Sequence, residues 1–233
     1  SAKIPIYAVF CAAFFKKYQA LVMIGLYITG IVLGIIVALI LKNTAFRGKP
    51  VPFVMELPNY RLPSAKRVGL LLWDKAKDFI QRAFTVIFFA TIIIWFLETF
   101  DAKLNVVKDS SDSLLALIGQ AISPIFKPLG FADWRVTTSL ISGFTAKEAV
   151  VSTMAVLMNT STANLGTALS GAFSTLSALS FLVFTLLYTP CVAAVATIKR
   201  ELDSRIQTVG VVIMQCMVAW LCGCAVYQIG ALL

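Results

Sequence analysis

From Leu21 to Leu41 the chain carries no charged residue, and Lys16, Lys17 and Lys42 bracket the run. A helix needs about 20 largely apolar residues to cross the hydrocarbon of a bilayer, so this segment reads as a membrane span. It holds Gly30-Ile31-Val32-Leu33-Gly34, a small-xxx-small spacing that lets helices approach closely and is common in lipid. Composition extends the argument to the rest of the molecule. The 233 residues are 59% hydrophobic and 13% charged, with a mean hydropathy of +0.89, whereas soluble domains run about 45–50% apolar and about 25% charged. So much apolar surface cannot be hidden in a water-soluble core of this size, which leaves lipid as its solvent. The expected fold is all-α: a polytopic transmembrane helical bundle with broken or re-entrant helices where prolines fall at membrane depth.

A net charge of +9 raises nucleic-acid binding as a class, but the distribution points elsewhere. Nine basic residues lie from Lys42 to Arg82, between two apolar runs, as the positive-inside rule predicts for a cytoplasmic loop. No nucleic-acid-reading module accompanies them, so nucleic acid is not an expected partner. The five cysteines, Cys11, Cys191, Cys216, Cys222 and Cys224, sit in apolar surroundings, and an odd count is no secreted disulfide framework. Without histidine, thiol, carboxylate, hydroxyl, thioether and carbonyl groups are the metal ligands left. Neither a nucleotide-cradling glycine motif nor a Ser/His/Asp triad can be built from these residues. An enzyme is therefore not expected. The opening Ser1-Ala2-Lys3-Ile4-Pro5 shows no cleavable leader and reads as the middle of a longer chain.

Along the chain, Ile4–Phe15 is apolar but too short to span. Pro50, Pro52, Pro58 and Pro63 predict extended backbone, leading into an amphipathic helix, Ser64–Asp78, capped by Ser64 and lying at the cytoplasmic interface. Phe79–Phe100 reads as a second span and Asp101–Ser113 as an outward loop. Leu114–Phe131, broken by Pro124, Lys127 and Pro128, reads as a discontinuous or re-entrant helix. Val136–Met158 reads as one long helix, Asn159–Gly171 as an outward loop, Ala172–Ile198 as an apolar run interrupted at Thr189-Pro190, and Val209–Leu233 as the last span. Lys199–Arg205 joins the basic loop on the cytoplasmic side. The total is about six membrane-penetrating elements.

Two constellations carry candidate chemistry. Ser142, Thr145, Glu148 and Ser152 fall at spacings that share one face of a helix, with Lys147 turned about 100° away. Ionisable groups inside a span usually face a cavity, a partner or an ion path; the bland reading makes the hydroxyls interhelical glue. In Tyr188-Thr189-Pro190-Cys191, the proline removes a helical hydrogen bond and pushes Thr189 from helical torsions. Freed carbonyls, the Thr189 hydroxyl and the Cys191 sulfur would then converge on one unwound spot, as in transporters built on discontinuous helices, with sulfur suited to a soft transition metal. The rival reading is a simple kink beside an inert buried cysteine. Cys11, Cys216 and the Cys222-Gly223-Cys224 pair read as packing.

These motifs carry a family resemblance. Ser1-Ala2-Lys3-Ile4-Pro5-Ile6-Tyr7-Ala8 resembles the end of the first gate repeat of the ferrous iron transport protein B family, and Pro52-Phe53-Val54-Met55-Glu56-Leu57-Pro58-Asn59-Tyr60-Arg61-Leu62-Pro63 resembles its cytoplasmic linker. Gly130–Arg135 with Gly143–Val151 is similar to the second gate repeat, and Leu187–Ala193 followed by Lys199-Arg200-Glu201 to its closing motif. The resemblance implies that residues 1–15 end a first gate repeat, 16–78 hold a transmembrane helix, linker and interfacial helix, 79–206 form the second gate repeat, and 207–233 a C-terminal transmembrane helix. It implies a multi-pass protein of the bacterial inner membrane that moves Fe2+ with no cofactor resident in this chain. Its partners would be lipid, a GTP-binding domain and the remainder of the first gate repeat, with room for small Feo accessory proteins and a homo-oligomer. Cys191, Thr189 and Glu148 become expected metal-facing residues, and Pro190, Thr145, Ser142, Ser152 and Lys147 the expected gate or path. The open alternatives are a gate-repeat transporter for another divalent metal or a nucleoside, or a non-conducting membrane fragment.

Overall fold

The computed structural model describes residues 3–44, 64–82, 85, 87–107, 109–188 and 191–232. The proline-rich stretch 50–63, with its expected extended backbone, lies outside them. Among the described residues the chain is helical, and its one β feature is an isolated bridge between Phe100 and Val106.

Helix α1 (Ile4–Phe14) begins with Pro5 in its first turn and buries Ile6, Phe10 and Cys11. Helix α2 (Gln19–Asn43) runs unbroken and fully buries Leu26 alone; Val22 and Met23 also pack against the core, while most of its other apolar side chains are exposed, as a lipid-facing span requires. Helix α3 (Ala65–Arg82) is the expected amphipathic helix, and the Ser64 hydroxyl accepts the Arg67 N–H at 3.4 Å. It extends beyond the expected end at Asp78. The apolar helix that follows, α4 (Phe88–Thr99), has 12 residues, fewer than the Phe79–Phe100 span expected, because the polar helix occupies the first part of that run.

Helix α5 (Leu114–Ile122) is N-capped by Ser113, whose hydroxyl accepts the Ala116 N–H. It continues into a 3-10 turn, Ser123–Leu129, that Gly130 closes in the left-handed region at φ +82°. Helix α6 (Trp134–Ser142) then leaves at 107° to that arm. The expected discontinuity is present but displaced: beside Pro124 the α-helix only tightens into the 3-10 turn, and the sharp bend falls at residues 130–133, so that the pair forms one broken span or a re-entrant loop. Helices α7 (Ala149–Leu157), α8 (Leu165–Ala172), α9 (Thr175–Leu187), α10 (Val192–Leu202) and α11 (Arg205–Leu232) complete the chain. Among the described residues three stretches are long and apolar enough to cross a bilayer, namely α2, the α9–α10 run and α11, with the bent pair as a fourth.

Two expectations are corrected. Val136–Met158 is not one helix, since α6 ends at Ser142 and α7 starts at Ala149. Asn159–Gly171 is not a plain loop, because α8 begins inside it and buries Leu165 and Leu169, one turn apart. The core is aromatic. Phe10 stacks on Phe181 with ring centroids 4.7 Å apart, Phe173 and Phe131 meet Phe181 edge-on, and Phe184 stacks on Tyr188 at 5.4 Å. Against this cluster lies α11, with the Ser180 hydroxyl donating to the Gly223 carbonyl at 2.8 Å.

Candidate functional site

The Gly143–Glu148 segment interrupts the helical ladder. Phe144 and Thr145 donate to the Ile141 and Ser142 carbonyls in tight turns, and the Thr145 hydroxyl adds a bond to the Ser142 carbonyl at 2.8 Å. A β-carbon on Gly143 would run into the Val150 side chain and stand 3.0 Å from the Tyr188 hydroxyl. Only glycine lets α7 fold back this closely on α6. The shared helical face expected for Ser142, Thr145, Glu148 and Ser152 therefore does not form. Ser142 and Thr145 are buried, whereas Glu148 and Ser152 stay together on the outer surface, with the Ser152 hydroxyl donating to the Glu148 carbonyl at 3.4 Å.

The second break follows α9, which ends at Leu187. Tyr188 and Cys191 both have extended backbone, and α10 restarts at Val192. Thr189 and Pro190 lie outside the described residues. The helix on which Tyr188–Val192 would have continued is thus interrupted, and Cys191 is half-buried at the interruption.

The two breaks meet. The Val192 N–H donates to the Phe144 carbonyl at 2.9 Å. Lys147, only 5% exposed, places its ammonium 3.0 Å from the centroid of the Tyr188 ring, a cation–π contact strengthened by desolvation. Turned away from Glu148, it meets the Tyr188 ring. On the far side, Lys3 donates to the Leu186 carbonyl, joining the start of α1 to the last turn of α9. Such last-turn carbonyls lack intrahelical partners and carry the negative end of the helix dipole.

Three contributors were not singled out by the sequence. Glu98, at the end of α4, accepts a hydrogen bond from the Ser142 hydroxyl at 3.3 Å, and Ser142 accepts from Thr153 at 3.1 Å. A carboxylate at the edge of an apolar run was the available hint. Lys3 was visible only as part of an opening motif. Cys216, read as packing, lines an apolar cleft of about 570 Å3 together with Leu140, Phe144, Tyr188 and Trp220, within electrostatic range of Lys147 as Cys191 also is. No cluster of three or more Cys, Asp or Glu side chains forms among the described residues. A cation here would rely on one or two side chains completed by carbonyl and hydroxyl oxygens.

Two family models match the chain. A family model described as nucleoside recognition, the Gate family, matches residues 80–205, which contain both breaks. A second, described as ferrous iron transport protein B C terminus, matches residues 23–75. Among curated proteins, the Fe(2+) transporter FeoB of Staphylococcus aureus is 37% identical over 232 residues, covering 100% of this chain and 35% of its own length. The Fe(2+) transporter FeoB of Methanocaldococcus jannaschii is 36% identical over 209 residues, 87% of this chain and 31% of its own. A Fe(2+) transport protein A/Fe(2+) transporter FeoB fusion protein of Porphyromonas gingivalis is 32% identical over 280 residues, 100% of this chain and 33% of its own. The chain thus spans about a third of the curated relatives it matches. No solved structure matches it.

Proposed function

The chain belongs to the Gate family, in the form found at the C terminus of ferrous iron transport protein B, and from this premise we propose that it forms part of a permease moving Fe2+ inward across the bacterial inner membrane. The observation that carries the reading is the junction of the two breaks, where the Val192 amide reaches the Phe144 carbonyl beside Cys191. Interrupted helices in lipid supply backbone oxygens for an ion, and a thiol among them favours a transition metal over Mg2+ or Ca2+.

In this reading Cys191 gives the soft ligand and Thr189 an oxygen. Pro190 keeps the helix open, while Ser142 and Thr145 line the neighbouring turn. Glu148 and Ser152, on the outer surface, serve as the approach to the junction rather than as part of it. Lys147 holds the gate against Tyr188. The residues 1–15, 16–78, 79–206 and 207–233 divide as the end of a first gate repeat, a span with linker and interfacial helix, the second gate repeat, and a closing helix. A GTP-binding domain elsewhere in the complete protein drives transport, and a small accessory protein of the kind fused in the Porphyromonas gingivalis relative assists it.

The Gate description, nucleoside recognition, names a second solute class. The thiol at the break and the names of the relatives favour the metal. In vesicles carrying the complete protein, Cys191→Ser lowers Fe2+ uptake by about tenfold, the scale on which metal-site partners act, while membrane insertion stays intact. Normal uptake by that variant overturns the ligand role. Uptake of uridine, but not Fe2+, would replace the metal reading with the nucleoside one.

A further inference from the structure

The carbonyl end of α9 already holds a cation. Lys3 reaches it from the N-cap position of α1 and donates to the Leu186 carbonyl. Lys147 reaches it from the break between α6 and α7 and sits on the ring of Tyr188, the C-cap residue of α9. Two ammonium groups from separate elements therefore converge on one helix terminus, within electrostatic range of each other. A terminus inside a bilayer attracts positive charge, because its carbonyls are unsatisfied and the helix dipole ends there. Two like charges at one terminus also repel, which lowers the cost of moving either away.

From this geometry we infer that the C-terminal end of α9 is a cation seat whose resident occupant is the Lys3 ammonium, and that a divalent metal ion takes the seat when Lys3 withdraws. The inference rests on the permease reading and deepens it by naming the seat and its occupant. The Leu186 carbonyl is the shared ligand: it accepts from the ammonium in the closed state and faces the metal in the loaded one. No bond is made or broken in the exchange, which swaps a tethered single positive charge for a mobile double one. Lys147 stays on the Tyr188 ring. A lysine that merely capped the helix would also donate to a last-turn carbonyl, and it would have no reason to respond to metal.

The test uses the complete protein in proteoliposomes, with Fe2+ influx followed by quenching of a trapped chelating dye in the absence of nucleotide. Lys3→Gln removes the tethered cation and raises basal Fe2+ influx about threefold, the scale of one charge–dipole contact, whereas Lys3→Arg stays at the wild-type level. A Lys3→Gln variant with a native melting curve and influx at or below wild type overturns the inference. Should Lys3→Gln fail to fold, amine labelling of wild type decides: saturating Fe2+ increases Lys3 modification about twofold if the metal displaces it, and unchanged labelling overturns the exchange. Cys191→Ser in the same vesicles separates the two ideas. Reduced influx there together with a flat Lys3→Gln response removes the seat and leaves the permease standing; unreduced influx removes the ligand role of Cys191, and a wild-type protein without Fe2+ influx removes the permease reading itself.

Discussion

Gly130 shows how far single positions can be pressed here. Its φ of +82° lies in the left-handed region, and a β-carbon would collide with the Tyr227 ring. An alanine meets about 1–2 kcal/mol of backbone strain and roughly 1–3 kcal/mol of overpacking. Gly130→Ala therefore lowers thermal stability in detergent, and adding Tyr227→Ala recovers the packing part but not the backbone part. Asp101, on the loop after α4, makes a different kind of prediction. Its Oδ1 accepts the Asn105 and Lys103 amides at 2.9 and 2.7 Å, and the Asn105 amide, ahead of Lys103, holds the carboxyl below the usual carboxylate range. A depressed carboxylate stabilises the fold above its unfolded value, and that contribution is lost as pH falls through the lower folded value. Amide-exchange protection at Lys103 and Asn105 thus persists at neutral pH and disappears only on strong acidification; in Asp101→Asn it is weak at every pH.

At the scale of helices, the informative event is the close return of α7 on α6. Gly143→Ala forces the new methyl into Val150 and costs about 1–3 kcal/mol, measurable as a lower melting temperature, and Val150→Ala in the same chain restores part of it. Periodicity could not find this break. Glycine is tolerated in a helical pattern at modest cost, and the hydroxyls of Ser142 and Thr145 fit a helical face by spacing alone. What ends the helix is tertiary: Val150 packed on Gly143 and the Val192 amide on the Phe144 carbonyl. Elements set by local chemistry were legible. The Ser64 cap of α3, the uncharged run of α2 and the end of α5 beside Pro124 all follow from short-range rules. Helix α8 was hidden by its serine, threonine and glycine content, though Leu165 and Leu169 at a one-turn spacing were the clue.

At the scale of the molecule, outward-facing apolar helices and an aromatic core agree on lipid as the surrounding solvent. Of α2 only Leu26 is buried, and of α11 only Thr208, Ala219 and Gly223. The candidate site, by contrast, is assembled from positions far apart in the chain: Lys3, Glu98, Phe144, Lys147, Tyr188, Cys191 and Cys216. Cys191 was legible because a proline precedes it. Cys216 was not, since nothing in its own stretch separates a cleft-lining thiol from a packed one until α11 is laid beside α9. The central claim is that two helix breaks meet to offer sulfur and oxygen to a transition metal. Its most direct test is a Co2+ titration of the complete purified protein, followed by thiolate-to-metal charge-transfer absorption. The account predicts a saturable band in wild type that Cys191→Ser abolishes; a wild-type protein with no such band, or a variant that keeps it at full intensity, would contradict it.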